Sequence, residues 1–277
     1  MSFSRYSSAS RISAAYFMVA ACAIAAFCAG SARADMPTPT VKALKIEKPE
    51  RLLFVGNSYL YYGDSMHNHV RRMVIAAGLS DAKTLKYKSA TISGSAIFDH
   101  NIDSYLEPGK LRVKEPFQVV VLQGGSAAPW GKGRDVRFHE TIAEFSKKIA
   151  AAGGETALYM THAYVKPHKR YDPEMIRAIE KLYVTTGNEV GALVIPVGLA
   201  FEEAYKQRPD IQLHKTFDGS HPDLIGTYLA ACVVYASLYG KSPVGNPYDY
   251  YGKIDKDMAG FLQNVADQTV RKFYGRP

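Results

Sequence analysis

The most constraining feature of the sequence is a run of four apolar residues, 52–55, that is followed by Gly56, Asn57 and Ser58. A short apolar run between turn residues is typical of a strand buried on both faces, and such strands belong to parallel sheets. The segment that follows, 65–77, has the apolar spacing of an amphipathic helix. Ser58 is therefore predicted to lie at the carboxyl end of a first strand, where open α/β sheets bind their ligands.

The same alternation continues along the chain and predicts one α/β domain. Strand-like runs lie near residues 52–55, 84–89, 118–123, 155–161 and 192–197. Helical patterns lie near residues 65–77, 97–106, 136–152, 173–186, 223–239 and 255–274. Strands that alternate with helices form a parallel sheet covered on both faces, so we expect a three-layer α/β/α sandwich in residues 51–277.

The first 34 residues have the composition of a secretory signal peptide. They contain no acidic residue, and Arg5 and Arg11 precede an alanine-rich apolar run that ends in the Ala-Arg-Ala sequence of residues 32–34. This pattern predicts cleavage after Ala34, and hence a periplasmic or extracellular protein. The run is nearly long enough to span a membrane, so an uncleaved anchor is the competing interpretation. Lipidation at Cys28 is a minor alternative.

The mature chain would be mildly basic and would contain one cysteine. The full sequence has 34 basic and 26 acidic residues, and three of the arginines lie in the predicted signal peptide. Cys22 and Cys28 lie there as well, which leaves Cys232 as a buried packing residue without an internal disulfide partner. Residues 35–50 contain three prolines and are predicted to be an exposed lead-in segment before the first strand.

Ser58 can act as a nucleophile only if the fold brings a base to it. A serine hydroxyl is a weak nucleophile until a neighbouring imidazole removes its proton, and the imidazole needs an acceptor on its other nitrogen. Asp218 and His221, three positions apart in a turn before a late helix, supply such a pair. A serine in a strand-to-helix turn is otherwise most often a capping residue, so the prediction depends on these two residues reaching Ser58.

Together, the two segments resemble the SGNH/GDSL hydrolase superfamily. The Gly-Asn-Ser turn at 56–58 looks like a branch of that superfamily with Asn in place of the usual Asp, and segment 218–231 resembles its final block. The resemblance covers residues 51–243. It implies a flavodoxin-like α/β/α fold with a central parallel sheet and a serine esterase or related acyl hydrolase whose nucleophile is Ser58.

The resemblance also implies an oxyanion hole with three donors. They would be the backbone N–H of Ser58, a glycine after the second strand, for which Gly94 is the candidate, and an Asn after the third strand. The sequence has Gln123 and no Asn at this last place. We expect the Gln123 amide to serve as the third donor; the alternative is a structural role at the strand end.

Aromatic residues and one histidine are candidates for substrate contact. Trp130, the single tryptophan, lies in the loop after the third strand, and Tyr59, Tyr61 and Tyr62 follow the nucleophile. Such rings stack on sugars or line acyl pockets, but they equally pack loops together. His162 ends the fourth predicted strand at the same edge of the sheet, where it either contacts substrate or is a hydrogen-bonded loop histidine.

The sequence therefore predicts an exported serine esterase that acts on a small-molecule or glycan ester through an acyl-Ser58 intermediate, with a carbohydrate O-acetyl ester as the first substrate class to test. Two alternatives stay open. One is a glycan O-acyltransferase that uses the same residues, and the other is a non-catalytic ligand-binding domain, because a fold does not fix a function.

No cofactor and no metal are expected. His67 and His69 point to different sides of a helix, and no Cys/His cluster occurs elsewhere. We expect no nucleic-acid partner, because basic and aromatic residues are not interleaved, and no membrane association once the signal peptide is cleaved. The sequence leaves the oligomeric state open.

Overall fold

A computed structural model describes residues 36–277, with a parallel sheet of five strands at its centre. The strands are β1 (Arg51–Gly56), β2 (Lys86–Thr91), β3 (Val119–Leu122), β4 (Glu155–Tyr159) and β5 (Leu193–Ile195). Their order is β2-β1-β3-β4-β5, and Leu53 of β1 pairs with Lys88 on one side and Val120 on the other. β1 is thus an interior strand with its apolar run buried on both faces, as its composition predicts.

Eight α-helices in the described residues cover the sheet. They are α1 (Ser58–Tyr61), α2 (Met66–Ala76), α3 (Ile102–Leu106), α4 (Arg134–Ala151), α5 (Met175–Val190), α6 (Val197–Gln207), α7 (Leu224–Tyr239) and α8 (Lys256–Tyr274). Several are amphipathic. In α4, for example, Phe138, Ile142, Phe145 and Ile149 are buried at spacings of three and four, so one face of the helix lies on the core.

The side chains of β1 alternate between two core layers. Leu52 and Phe54 pack with residues of α2, α7 and α8, whereas Leu53 and Val55 pack with residues of α4 and α5. Successive side chains of a strand point to opposite faces of a sheet, so helices lie on both faces. The predicted three-layer α/β/α sandwich is confirmed.

Helix α7 is buried almost all round. Every residue from Gly226 to Tyr239 is buried, and the helix packs against α2, α6 and α8. A helix that is apolar on all sides requires neighbours on all sides. Cys232, within α7, is fully buried, and burial raises the pKa of its thiol.

Two elements differ from the sequence-based prediction. Helix α6 was not predicted, because β5 is only three residues long and is continuous with the start of α6 in one largely apolar stretch, 193–201. The predicted helix near 97–106 is divided into a 3-10 turn, Ile97–Asp99, and α3. The division falls at Asn101, whose Oδ1 accepts a hydrogen bond from the Ser104 N–H and so starts a new helix.

Residues 36–50 contain no helix or strand, and their backbone is bound to the domain. The Glu155 carboxylate of β4 accepts hydrogen bonds from the backbone N–H groups of Lys45 and Ile46, each at 3.0 Å. The segment expected as an exposed lead-in is only partly exposed: Pro39 and Pro49 are buried, and Val41, Leu44 and Ile46 pack against the core.

The predicted signal peptide, residues 1–34, lies outside the described residues, as do Cys22 and Cys28. Within residues 36–277, no helix has both the length and the apolar composition needed to cross a membrane.

Candidate active site

The turn after β1 is held by the side chain of Asn57. Its Oδ1 accepts a hydrogen bond from the Tyr59 N–H at 3.1 Å and so caps α1. Its Nδ2 donates to the Ser95 carbonyl oxygen at 2.8 Å, in the loop after β2. An aspartate could accept the first bond but could not donate the second. The structure thereby gives a physical reason for Asn in place of Asp before Ser58.

Gln123, directly after β3, supports the same turn. Its Oε1 accepts a hydrogen bond from the Asn57 N–H at 2.8 Å, and its Nε2 donates to the Gly124 carbonyl oxygen. A Cβ at Gly56 would lie 2.4 Å from Oε1, so only glycine fits beside this amide.

Gln123 does not present its amide as an oxyanion donor in this arrangement, which corrects the expectation drawn from the sequence. The side chain is fully buried. Since Asn57 requires the acceptor oxygen, the NH₂ group is turned toward Gly124. The structure therefore favours the alternative, a structural role at the strand end.

The loop before α7 folds around Asp218. Its Oδ1 accepts hydrogen bonds from the backbone N–H groups of Ser220 at 2.8 Å and His221 at 3.1 Å. Gly219 has a φ of +62°, and a Cβ there would lie 2.2 Å from the Val165 carbonyl oxygen. The loop therefore rests directly on the segment after β4, and glycine is required at the contact.

The structure brings Ser58, His221 and Asp218 into one hydrogen-bonded chain. Ser58 Oγ lies 2.8 Å from His221 Nε2, and His221 Nδ1 lies 2.5 Å from Asp218 Oδ2. The carboxyl end of β1 and the loop before α7 share one edge of the sheet, which is why residues far apart in sequence meet. Ser58 is buried and His221 is partly exposed, so the site is open to solvent on the side of the imidazole.

Asp218 has the charge state that fixes the orientation of the imidazole. Burial alone would raise the pKa of its carboxyl, but the hydrogen bonds from the His221 ring and from the Ser220 and His221 N–H groups outweigh burial and lower the pKa. A carboxylate at this position accepts the Nδ1 proton. Nε2 is then the free acceptor that faces the Ser58 hydroxyl.

Two backbone donors lie at this edge of the sheet. The N–H groups of Ser58 and Gly94 have no hydrogen-bond partner within residues 36–277. Gly94 is exposed and has a φ of +70°, and the Asn57–Ser95 bond ties its loop to the nucleophile turn.

His162 is a fully buried support of the loop before α7, so of the two roles left open by the sequence the structure favours the hydrogen-bonded loop histidine. Its ring lies between those of Tyr59 and Phe201, with centroid distances of 4.4 and 4.3 Å. Its Nε2 donates to the Ser220 carbonyl oxygen at 2.9 Å. Burial and the neighbouring His214 ring hold the pKa of His162 well below its usual range, so the ring is neutral at pH 7.

Trp130 stands at the end of the 3-10 turn Ala128–Trp130 and is 42% exposed. The loop that carries it is joined to the segment after β4, because the Tyr164 hydroxyl donates to Ser126 Oγ at 2.7 Å. Its contact with substrate stays a prediction.

Two tyrosines that follow the nucleophile pack against the base. The Tyr62 ring stacks on the His221 imidazole with a centroid distance of 4.2 Å and an angle of 18°. Tyr59 meets the same imidazole edge-on at 5.9 Å, and its hydroxyl forms a 2.8 Å hydrogen bond with Ser220 Oγ. Sequence reasoning left the role of these rings undecided. The available signal was their spacing of three, which places both on one side of a helical turn.

No three His, Cys, Asp or Glu side chains among residues 36–277 are grouped so that they could hold a metal ion. Both ring nitrogens of His69 are used in hydrogen bonds, one with the Gly63 carbonyl oxygen and one with the Tyr248 hydroxyl.

Comparison with known proteins gives similarity at the level of structure. Neither a protein-family model nor a curated protein matches the sequence. A DUF4886 family protein from Bacteroides uniformis superposes with a TM-score of 0.61 at 19% identity, over 79% of this chain and 93% of that chain.

Two further structures have related folds. A proposed SGNH hydrolase from Slackia heliotrinireducens has a TM-score of 0.55 at 20% identity, over 68% of this chain and 98% of its own. An acetylxylan esterase from Geobacillus stearothermophilus has a TM-score of 0.52 at 17% identity, over 73% of this chain and 99% of its own. The chain therefore has the three-layer α/β/α fold of the SGNH/GDSL hydrolases.

Proposed function

We propose that this protein is a serine esterase that hydrolyses an ester through an acyl-Ser58 intermediate. One observation carries the proposal, the unbroken hydrogen-bonded chain from Ser58 Oγ through His221 to Asp218. A chance contact between a serine and a histidine would not need a carboxylate on the other ring nitrogen. Here Asp218 accepts the Nδ1 proton and leaves Nε2 free to accept the Ser58 proton. The fold shared with known esterases supports the same assignment.

In the first half of the reaction, Ser58 Oγ attacks the ester carbonyl carbon while His221 Nε2 takes the hydroxyl proton. The tetrahedral intermediate then collapses: the bond to the alcohol oxygen breaks, and His221 returns the proton to that oxygen. In the second half, His221 takes a proton from water, the hydroxide attacks the acyl-Ser58 carbon, and the carboxylic acid leaves as Ser58 recovers its proton. Asp218 stays ionised throughout and holds the imidazolium in place.

The negative charge on the tetrahedral oxygen would be stabilised by the unpaired N–H groups of Ser58 and Gly94. Preorganised donors of this kind each contribute on the order of 10²–10³ to turnover. Because Gln123 is committed to the turn, we propose a hole built from these two backbone donors without it.

We propose a carbohydrate O-acetyl ester as the substrate. Trp130 presents a partly exposed ring on a loop at the same edge of the sheet, and aromatic rings bind the apolar faces of sugars. Two of the structurally similar proteins are described as acetylxylan esterases. The composition of residues 1–34 further supports export, which would place the protein where extracellular glycans occur.

Acyl transfer to a glycan is the second candidate, because a sugar hydroxyl can replace water in the second half of the reaction. The partly exposed His221 leaves room for such an acceptor. Incubation with an acyl donor and an oligosaccharide acceptor, followed by mass spectrometry, separates the two. Free acetate without acetylated sugar supports hydrolysis.

The proposed function is tested by covalent labelling. A fluorophosphonate probe is expected to label the folded protein at Ser58, as identified by peptide mass spectrometry, and labelling should block p-nitrophenyl acetate turnover. Heat-unfolded protein is the control, since it lacks the hydrogen-bonded chain. Folded protein that resists the probe would instead support a non-catalytic ligand-binding domain.

A further inference from the structure

We propose that Tyr62 is a positioning residue that fixes the orientation of the His221 imidazole and stabilises it in its protonated form. The inference rests on the proposed function, in which His221 is the base. It adds a residue outside the nucleophile, the base, the orienting acid and the oxyanion donors.

The contact restricts the one motion that would disconnect the base. Rotation of the imidazole about its bond to Cβ would swing Nε2 away from Ser58, and the hydrogen bond to Asp218 by itself leaves some of that freedom. The Tyr62 ring lies nearly parallel to the imidazole, 4.2 Å from it, so the rotation would drive one ring into the other. The imidazole is therefore kept in the plane in which it accepts the Ser58 proton.

The Tyr62 ring is itself fixed relative to the nucleophile. Tyr62 is the C-cap residue of α1, and its backbone N–H donates to the Ser58 carbonyl oxygen at 3.0 Å. The Tyr61 ring also stacks on it, with a centroid distance of 5.6 Å, and the Tyr61 hydroxyl donates to Ser93 Oγ at 3.1 Å, next to Gly94. The stack thus connects the base with the loop that carries a proposed oxyanion donor.

The ring also meets a charge that exists only during the reaction. When Nε2 takes the Ser58 proton, the imidazole becomes a cation facing an aromatic surface, an arrangement that favours the charged form. The Tyr62 hydroxyl has no hydrogen-bond partner within the described residues, so the ring and not the hydroxyl carries the effect.

Few other charges lie around the imidazole. Asp218 accepts at Nδ1 and Ser58 occupies Nε2. The cation of Lys215, whose backbone N–H binds the His221 carbonyl oxygen, is paired with Asp223 at 2.5 Å. The buried, uncharged rings of Tyr59 and His162 lie near the imidazole, and His168 and His214 lie near the Asp218 carboxylate.

Three substitutions separate the size of the ring from its electronic character. Tyr62→Phe keeps the stack and is expected to retain kcat within about 2-fold. Tyr62→Leu keeps most of the volume but loses the aromatic face, and we expect kcat to fall about 2- to 5-fold. Tyr62→Ala frees the imidazole and should lower kcat about 10-fold or more, with KM within about 2-fold of wild type. Tyr251→Ala, at a tyrosine that is 72% exposed, is the control and should leave both constants unchanged.

The pH profile supplies a readout that loss of packing alone would not move. Without the aromatic face, the His221 cation is less stable, so the midpoint of the acidic limb of kcat/KM should shift to lower pH by about 0.4–0.7 unit in Tyr62→Leu. It should stay at the wild-type value in Tyr62→Phe. NMR titration of the His221 ring protons, assigned by their loss in His221→Asn, should show the same shift in the free protein.

The NMR titration distinguishes failure of this inference from failure of the proposed function, because it requires no turnover. The role of Tyr62 would be overturned if Tyr62→Leu left the midpoint of the His221 NMR titration unchanged and Tyr62→Ala left kcat unchanged. This holds whatever the fluorophosphonate result. A rise in KM with constant kcat would also overturn it, since that result assigns the ring to substrate binding.

Discussion

Ser58→Ala is expected to lower kcat for p-nitrophenyl acetate by at least about 10⁴-fold. In the proposed mechanism the Ser58 oxygen forms the acyl bond, and within residues 36–277 no second hydroxyl is hydrogen-bonded to His221 Nε2. What remains should be the modest catalysis that oxyanion donors and binding supply without a nucleophile. Turnover is measured spectrophotometrically, with protein amounts verified by absorbance.

The control for this experiment is Ser80→Ala, in the loop before β2 and away from the site. It removes a hydroxyl that is hydrogen-bonded to Thr84 in the same loop and to Glu50, directly before β1. Its turnover should equal that of wild type. Thermal unfolding of Ser58→Ala should stay close to wild type, because the hydroxyl is hydrogen-bonded only to the partly exposed His221 among the described residues. Wild-type rates in Ser58→Ala would contradict the acyl-Ser58 mechanism outright.

Asp218→Asn is expected to lower kcat by about 10³–10⁴-fold while the fold persists. The physical reason lies in how the two carboxylate oxygens are used. Oδ1 accepts hydrogen bonds from two backbone N–H groups, whereas Oδ2 faces the His221 Nδ1. An asparagine must keep its oxygen toward the backbone, so its NH₂ group faces Nδ1 and forces the other imidazole tautomer. Nε2 then carries a hydrogen and cannot accept the Ser58 proton.

Asp249→Asn is the matched control. Asp249 Oδ1 accepts a hydrogen bond from the Gly252 N–H in an exposed turn, a bond that asparagine also accepts, and activity should stay within about 2-fold of wild type. The tautomer can be followed directly by ¹⁵N NMR of the imidazole. Full activity of Asp218→Asn would refute the orienting role assigned to Asp218, whichever of the two imidazole tautomers the NMR spectrum shows.

Much of the fold and the central part of the site could be predicted from the sequence. The apolar run before Ser58 identified an interior parallel strand, and the carboxyl ends of parallel strands share one edge with the loops that follow. Because His221 follows helix α6 and not a strand, its approach to Ser58, 163 positions away, was expected only from the resemblance of both segments to one superfamily. Asp218 lies three residues before His221, so a short turn was predicted to bring its carboxylate to the imidazole, and the structure contains that contact.

The errors have physical causes that no linear pattern reveals. Gln123 was assigned by its chemistry, but the orientation of an amide depends on which neighbour needs its oxygen, and that neighbour is the Asn57 N–H. The role of His162 stayed open between substrate contact and a loop histidine, because its place at a strand end does not show that the loop before α7 folds over it and closes it from solvent. The rings of Tyr59 and Tyr62 were left undecided because their partners come from the opposite end of the chain.

The bonds made by Asn57 have a bearing on how similar proteins can be sought. Its side-chain amide joins the turn after β1 to the loop after β2 through Ser95, and its backbone N–H joins the same turn to Gln123 after β3. An aspartate at position 57 would oppose its negative charge to the Ser95 carbonyl, whereas the bond to Gln123 uses only the backbone of residue 57. A sequence signature built on Gly-Asp-Ser alone would pass over proteins that tie the nucleophile turn to the loop after β2 through an asparagine side chain, whereas one that also accepts Gly-Asn-Ser would find them.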